Sequence, residues 1–210
     1  MTKMTGFTHH YDHWRRVRIN KIHKIFGPDF FKGKSVMELA CGHGDTGREL
    51  SEKGANVTFV EGRQEHLDVL LTHKPDAETF CVDQDQPWNL NRQFDFVIHW
   101  GVFYHLNNWK EDLRCALEHT NLMTLETEVA DSSDPNFEIK VAEAGFDQAL
   151  NSTGTRPSAA MVEQLLTKLG ATFVRYDDRD LNSSFHSYNW PVRETKTWKP
   201  GRRRFWIIRK

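Results

Sequence analysis

A glycine-rich turn between two regular elements is the feature that most restricts how this chain folds. The turn is "CGHG", residues 41–44, and the apolar run "SVMEL" before it predicts a buried strand that ends near Glu38 and Leu39. After it, "DTGRELSEKG" carries helix-forming residues and stops at Gly54, a residue type that commonly ends helices. Glycines in such a turn let a ligand approach the bare backbone. The pattern therefore predicts a ligand site where the first strand ends.

Downstream of this turn, segments typical of strands and of helices alternate along the chain. Strands are predicted at 35–39, 55–61, 78–83, 94–100, 122–129, 171–177 and 203–209. Helices are predicted at 45–53, 63–72 and 109–119, and between an N-cap at Ser158 and a C-cap at Gly170. This alternation favours an α/β fold with an open, mostly parallel sheet covered by helices on both faces. Since no helix separates the last two strands, the final strand is expected to be antiparallel.

The length of 210 residues suits one buried core, so we expect a single domain with a doubly wound, seven-stranded sheet. Residues 1–33 include apolar side chains near helical spacing at 11–26 and are expected to form an N-terminal helical cap. Residues 34–130 are expected to form the ligand-binding half. Segments 131–157 and 178–200 are too long for simple connections, which predicts two insertions on the substrate side.

Composition narrows the classes of partner and compartment. The formal net charge of -1 argues against a partner held by the charge of the whole surface. Three isolated cysteines fit a reducing compartment better than a disulfide framework. The first 16 residues hold no apolar signal core, and no run approaches membrane-spanning length. We therefore expect a cytoplasmic protein without membrane contact.

The stretch "HHYDH", residues 9–13, suggests a metal site, because His9 and His13 would share one helix face. No further cluster of ligands accompanies this pair, and a structural zinc site needs four ligands. We therefore expect no metal and interpret the stretch as a polar helix end.

An acid at the end of the second strand strengthens the prediction of a nucleotide-type site. Glu61 ends "VTFVE" and follows Gly44 by 17 residues. In an open parallel sheet, ligands bind where the strands end, and a carboxylate there can accept hydrogen bonds from both hydroxyls of a ribose. The spacing Gly42-x-Gly44-x-x-Gly47 alone is a weak signal, but the strand, the helix and the acid together are a strong one.

The same segments carry a resemblance to a known family. "VMELACGHGDTGREL" resembles motif I of the class I S-adenosylmethionine-dependent methyltransferases, and "VTFVEGR" resembles their second motif. "FCVDQDQPW" and "FDFVIHWGVFYHL" are similar to the third and fourth, and "LMTLETEV" follows as the fifth strand. The resemblance spans roughly residues 34–210. It implies methyl transfer from S-adenosylmethionine with release of S-adenosylhomocysteine. A nicotinamide-binding site would leave Glu38 and "GVFYHL" unexplained.

The resemblance also implies which residues hold S-adenosylmethionine, all of them at strand ends. Those around its methionine part are Glu38, Ala40, Gly42, Gly44, His99, Trp100 and Gly101. Those around its ribose and adenine are Glu61, Gly62, Arg63 and Asp83. Asp85 is an alternative to Asp83 at the adenine amino group, because the end of that strand is uncertain by a residue or two.

Two residues after the fourth strand are candidates for catalysis. Methyl transfer from a sulfonium mainly requires alignment and exclusion of water, and it needs a general base only when the acceptor is a neutral hydroxyl or a similar weak acid. His105 in "FYHL" faces the expected cofactor mouth and is the candidate base. Its neighbour Tyr104 is a second candidate. The alternative is that His105 only hydrogen-bonds a loop and that Tyr104 only forms a wall.

Five residues are candidates for substrate contact. On the N-terminal cap, Trp14 is expected to form an apolar wall and Arg18 to contact an anion. Arg156 precedes the helix at 158, where it can bind a substrate carboxylate or phosphate or form only a salt bridge. Tyr188 and Trp190 lie in the second insertion and suggest a flat acceptor, although edge packing explains them almost as well.

The acceptor itself is predicted less sharply than the cofactor. We expect a small molecule methylated at oxygen or nitrogen, and a protein side chain is a weaker alternative. RNA of the tRNA type is a further alternative, because residues 190–210 hold eight Lys or Arg against one Glu. A cofactor-binding partner protein without catalysis, and chemistry on the same cofactor without methyl transfer, also remain open. The sequence gives no prediction of the oligomeric state.

Overall fold

A computed structural model of the protein describes residues 10–145 and 147–210. Its strands, in chain order, are β1 (Ser35–Leu39), β2 (Asn56–Glu61), β3 (Glu78–Cys81), β4 (Phe96–Trp100), β5 (Leu122–Glu128), β6 (Glu138–Ala142), β7 (Thr153–Pro157), β8 (Thr172–Tyr176) and β9 (Arg203–Arg209). Its helices are α1 (His10–Phe26), α2 (Asp45–Glu52), α3 (Gln64–His73), α4 (Trp109–Glu118) and α5 (Ala159–Lys168). Short 3₁₀ turns lie at Phe103–His105 and Arg179–Leu181.

Seven strands form one sheet in the order β3-β2-β1-β4-β5-β9-β8. The first five pair in parallel, whereas β9 is antiparallel to both β5 and β8. The predicted seven-stranded, mostly parallel sheet with an antiparallel last strand is therefore confirmed. Strand order reverses between β1 and β4, and the carboxyl ends of strands at such a switch point are where open α/β sheets bind ligands.

The sheet is buried on both faces, which explains why its central strands are apolar along their whole length. On one face, Val36 and Phe59 pack with Leu50 and Leu70 from α2 and α3 and with Ile22 from α1. On the other face, the side chains of β1, β4 and β5 pack with Leu113 of α4 and Val162 of α5. Helices on both faces confirm the doubly wound arrangement.

Helix α5 has the ends that its sequence predicts. The Ser158 hydroxyl accepts a hydrogen bond from the backbone N–H of Met161 at 3.0 Å, which satisfies one of the free donors of the first turn. Gly170 follows the helix in the left-handed conformation, with φ at 77°.

The first predicted insertion contains the hairpin β6–β7, which packs against the 3₁₀ turn at Phe103–His105. A Cβ on Gly154 in β7 would lie 2.3 Å from the carbonyl oxygen of Tyr104, so only a glycine permits this approach. The second predicted insertion is tied to β9 instead. Arg204 in β9 donates to the backbone carbonyls of Tyr188 and Trp190.

In the ranges 10–145 and 147–210, no helix combines the length and apolar character that spanning a membrane requires. His9, one member of the pair that suggested a metal site, lies outside these ranges.

Candidate active site

A cavity opens above the carboxyl ends of β1, β2 and β4, at the switch point of the sheet. Its floor is the turn after β1, and one end is lined by residues that follow β2 and β3. Its other end is lined by α1, the 3₁₀ turn after β4 and the first residue of β9. We call these the strand-turn end and the aromatic end.

The turn after β1 has an unusual backbone that its sequence makes possible. Ala40, Gly42 and Gly44 all have positive φ, at 51°, 55° and 74°. A Cβ on Gly44 would lie 2.3 Å from a methyl carbon of Leu70, so α3 packs directly on the bare backbone. The Cys41 N–H donates to the Val60 carbonyl and thereby fixes the turn to β2. The glycines therefore serve both packing and ligand access.

Glu38 lies at the end of β1 and accepts a hydrogen bond from the Gly47 N–H at 2.8 Å. Burial raises its pKa to about 8, although the hydrogen bonds from Gly47 and Thr46 oppose this shift. The side chain is therefore mostly protonated at neutral pH. Its carboxyl group ties the turn to the start of α2.

Glu61 lies at the end of β2, and its carboxylate faces the cavity. One oxygen accepts from the Gly42 N–H at 2.9 Å and the other accepts from the Arg63 N–H at 3.1 Å. Burial raises its pKa, but His66 and these backbone donors outweigh the effect, so that the net pKa is lowered. Glu61 is therefore ionised at neutral pH and is a strong hydrogen-bond acceptor.

Asp83 and Asp85 both border the strand-turn end, but their partners differ. Asp85 accepts from the backbone N–H groups of Asn107 and Asn108 and from the Asn151 side chain. Within residues 10–145 and 147–210, the Asp83 side chain accepts a single hydrogen bond, from the Asp85 N–H at 2.9 Å. Asp85 thus holds the neighbouring loops in place, whereas Asp83 has more capacity to accept hydrogen bonds from a ligand.

The three residues predicted at the end of β4 divide between the two faces of the sheet. Trp100 and Gly101 border the cavity, and Gly101 is held in position by its N–H donating to the Glu126 carbonyl. His99 is fully buried on the opposite face and bonds Asp112 of α4 at 2.6 Å. The structure therefore does not bring His99 to the cavity with Trp100, because successive strand residues point to opposite faces.

The aromatic end rests on a buried network of charges. Arg203 donates to Glu126 at 3.0 Å and to the Tyr104 hydroxyl at 2.9 Å. Glu126 also accepts from Arg18 at 3.1 Å and from the hydroxyl of Tyr188. Burial raises the pKa of Tyr104, although Arg203 opposes it, so the phenol keeps its proton.

His105 borders the cavity and is held from behind by a carboxylate. Its Nδ1 lies 2.5 Å from Glu143 Oε2, and Arg156 donates to the other oxygen of Glu143. Burial opposes ionisation of Glu143, but His105 and Arg156 outweigh it and lower its pKa to about 2. An ionised Glu143 can only accept, so Nδ1 donates. Nε2 is then the nitrogen that can take a proton from a substrate.

The connection between β6 and β7 borders the cavity on its outer side. Arg63 donates to the Gln148 carbonyl at 2.8 Å, and Glu143 accepts from the Ala149 N–H at 2.9 Å. Leu150 covers Gly62 so closely that a Cβ on this glycine would lie 2.6 Å from a Leu150 methyl carbon. This segment thus bridges the two ends of the cavity.

The structure places one of the five predicted substrate residues, Trp14, in the cavity wall. Arg18 is fully buried against Glu126, Tyr188 is buried against the same carboxylate, and Trp190 packs under Arg204. Arg156 is an internal salt-bridge residue, the alternative that its sequence position left open. These four do not border the cavity, and their contacts lie within the protein.

Sequence reasoning missed Tyr11, Glu126, Glu143 and Arg203. Glu126 carried a usable signal, because an acid inside the apolar strand "LMTLETEV" needs a buried partner. Arg203 lies within a basic run that is typical of a surface, and neither Glu143 nor Tyr11 stands out in its local sequence. Only the folded chain brings these residues together.

The strand order, the antiparallel β9 and the cavity above the glycine turn define a class I S-adenosylmethionine-dependent methyltransferase. Residues 11–195 match the family model described as methyltransferase domain, and the chain belongs to this family. No curated protein sequence matches the chain.

Solved structures share this fold at low sequence identity. The N-terminal domain of EvdMO1 with S-adenosylhomocysteine bound is 17% identical, covering 93% of this chain and 80% of that one, with a TM-score of 0.66. An S-adenosylmethionine-dependent methyltransferase from Mesorhizobium loti is 13% identical, covering 92% and 98%, also with a TM-score of 0.66. The 1,6-didemethyltoxoflavin-N1-methyltransferase of Burkholderia thailandensis is 14% identical, covering 93% and 77%, with a TM-score of 0.59. These likenesses show that the chain shares its fold with them.

Proposed function

We propose that this protein methylates an oxygen or nitrogen atom of a small-molecule acceptor and that His105 is the general base. The observation that carries this proposal is the arrangement of Arg156, Glu143 and His105. Two successive contacts orient the imidazole and fix its tautomer, while the ring borders the cavity.

The residues of the strand-turn end fit S-adenosylmethionine. Glu61 is ionised and can accept from both ribose hydroxyls. Asp83 can accept from the adenine amino group, with Gly62, Arg63 and Leu150 around the base. Five other predicted cofactor residues border the cavity and would surround the methionine part of the cofactor: Glu38, Ala40, Gly42, Trp100 and Gly101. Gly44 would act one step behind them, since it shapes the turn and packs against Leu70.

When bound, S-adenosylmethionine would supply a methyl carbon to which an acceptor lone pair can bond while the carbon–sulfur bond breaks, its electrons staying on the sulfur of S-adenosylhomocysteine. His105 Nε2 takes the proton that the acceptor loses. Glu143 and Arg156 keep the ring aligned, and Trp14 with the 147–150 segment excludes water. Such general-base assistance is worth about 10²–10⁴ in rate.

Two further observations favour a small acceptor over RNA. Arg203 and Arg204, part of the basic run that suggested RNA, are buried at 3% and 2% exposure. Arg203 pairs with the buried Glu126, and Arg204 donates to the backbone carbonyls of Tyr188 and Trp190. These two side chains therefore do not contribute to a surface that could bind phosphate groups. Among the structural neighbours are a glycopeptide N-methyltransferase and a coclaurine N-methyltransferase bound to N-methylheliamine.

The experiment is methyl transfer from radiolabelled S-adenosylmethionine to a panel of small phenols, amines and heterocycles, with bulk tRNA as a separate arm. We expect transfer to at least one small compound. His105→Ala should lower the rate by about 10²–10⁴ and change the affinity for S-adenosylhomocysteine by less than about threefold. Glu65→Ala, an exposed change on α3, is the matched control.

Transfer to tRNA alone would overturn the small-molecule assignment. Transfer that is equally fast in His105→Ala would remove the role of His105 as base. Cofactor binding without transfer to any compound or to tRNA would favour the partner-protein alternative.

A further inference from the structure

The aromatic end of the cavity presents three aromatic rings, one guanidinium and one imidazole in a continuous wall. Tyr11 and Trp14 meet edge to face at 5.8 Å between ring centroids. Arg203 follows, with its guanidinium carbon 4.8 Å from the Tyr104 ring centroid, and the rings of Tyr104 and His105 lie 4.0 Å apart. Because the cofactor takes the strand-turn end and the floor, this wall is what an acceptor meets. Its rings suit a planar molecule.

This wall holds hydrogen-bond donors that the described part of the chain does not use. The Tyr104 hydroxyl accepts from Arg203, and across residues 10–145 and 147–210 no group accepts its own proton. Arg203 has five N–H groups; it donates through Nη1 to Glu126 and through Nη2 to Tyr104, and within the same ranges the second N–H of Nη2 makes no further hydrogen bond. Buried donors normally have partners, so these two side chains are suited to bind an oxygen of the acceptor.

The charges beneath the wall indicate whether the acceptor oxygen is charged or neutral. Arg203 lies between two carboxylates, Glu126 at 3.0 Å and Glu128 at 3.7 Å. The whole buried network contains equal numbers of each sign, namely Arg18, Arg156 and Arg203 with Glu126, Glu128 and Glu143. An acceptor group with a negative charge would find no uncompensated positive charge here. A neutral carbonyl oxygen, in contrast, can accept from both donors at no cost in charge.

The position of these donors relative to the base sets the geometry of the acceptor. Tyr104 and His105 are consecutive residues in one 3₁₀ turn. An oxygen held by Tyr104 and Arg203 therefore lies next to the atom from which His105 takes a proton.

We propose that the acceptor is a planar molecule with a neutral carbonyl oxygen adjacent to the hydroxyl or amine that is methylated. Tyr104 and Arg203 are the residues that determine this specificity. The inference rests on the proposed function, since it requires His105 to face the methylated atom.

The test measures binding to the protein saturated with S-adenosylhomocysteine, using three probes that share one ring and one hydroxyl. Salicylamide carries a neutral carbonyl beside the hydroxyl, o-cresol replaces it by a methyl group, and salicylate replaces it by a carboxylate. We expect calorimetry to give salicylamide an affinity about tenfold higher than that of either other probe, which is the usual effect of one or two hydrogen bonds.

Tyr104→Phe removes one donor and should lower the preference for salicylamide over o-cresol by about fivefold or more. Tyr188→Phe is the matched control, because this hydroxyl also belongs to the network through Glu126 but lies away from the cavity. It should keep the full preference. Binding of S-adenosylhomocysteine, measured separately, reports whether each variant retains its fold and cofactor site.

The inference is overturned if salicylamide does not bind, if o-cresol binds equally well, or if Tyr104→Phe retains the preference. Tighter binding of salicylate overturns the neutral carbonyl. Methyl transfer that depends on His105, but prefers acceptors without a carbonyl, would leave the proposed function intact and remove only this inference.

Discussion

The two ends of the cavity are built in different ways. The strand-turn end uses short sequence segments that directly follow β1, β2 and β3, and it relies on backbone groups and on carboxylates such as Glu61. The aromatic end gathers α1, the turn after β4, the β6–β7 connection and β9, and it relies on buried ion pairs. Local geometry thus fixes the end that we propose for the cofactor, whereas tertiary packing fixes the end that we propose for the acceptor.

The largest effect is expected when the ion pairs of the aromatic end lose their shared carboxylate. Glu126→Leu leaves Arg18 and Arg203 buried without this partner, which should lower the free energy of unfolding by about 3–5 kcal/mol. The measurement is urea unfolding. Glu118→Leu, which removes an exposed partner of Arg114, is the control and should cost less than about 1 kcal/mol. Similar losses in the two variants would show that the aromatic end does not depend on its ion pairs.

Glu61→Ala tests the contribution of the strand-turn end to cofactor binding. It removes an ionised acceptor that can receive two hydroxyl hydrogens, so the affinity for S-adenosylmethionine should fall about hundredfold. Calorimetric titration with the wild type and with Glu65→Ala provides the comparison. An affinity within threefold of the wild type would mean that the ribose is held elsewhere.

Glu143→Gln tests how strongly the aromatic end depends on pH. The folded-state pKa of Glu143 is about 2, below its ordinary value of 4.5. Its ionised form therefore stabilises the fold above about pH 4.5, and this contribution is lost as the pH falls towards 2. We expect Glu143→Gln to be less stable than the wild type at neutral pH, and the difference should shrink in acid. Unfolding curves recorded across this range check it, and a difference independent of pH would contradict the ionised state.

The smallest effect is expected from Asp83 and Asp85, the two residues that the sequence left as alternatives at the adenine amino group. Asp83→Ala should weaken S-adenosylmethionine binding about tenfold by removing one hydrogen bond to the adenine. Asp85→Ala should act mainly on stability, because Asp85 holds the backbone of Asn107 and Asn108. Calorimetry and thermal unfolding of both variants distinguish the two roles. The reverse pattern would assign the adenine to Asp85.

The same contrast explains how far sequence reasoning reached. Element order, the antiparallel β9 and the glycine turn were predictable because apolar periodicity and turn residues are local signals. Glu61 was predictable because strand ends of a parallel sheet meet at one edge. The partners of His105 and Tyr104 were not, since Glu143 lies 38 residues from His105 and Arg203 lies 99 from Tyr104. No local pattern records such distant pairs.

The structure places His99 and Arg18 outside the cavity for two different reasons. His99 lies in the predicted strand but on the face that packs against α4, because successive strand residues point to opposite faces. For Arg18, the helix was right, but the sequence could not reveal that Glu126 would bury its charge. Predicting a side chain's role requires knowing its partner as well as its element.

The placement of β9 has a consequence for biosynthesis. This strand follows the other six strands of this sheet in chain order, yet it lies between β5 and β8 in the finished sheet. Until it is synthesised, β8 has no neighbour and β5 exposes an unpaired edge, which is a hazard for aggregation. Arg203, the first residue of β9, reaches the aromatic end of the cavity at the same step. A nascent chain that stops before residue 203 therefore exposes this unpaired edge and lacks a residue that we propose for acceptor specificity.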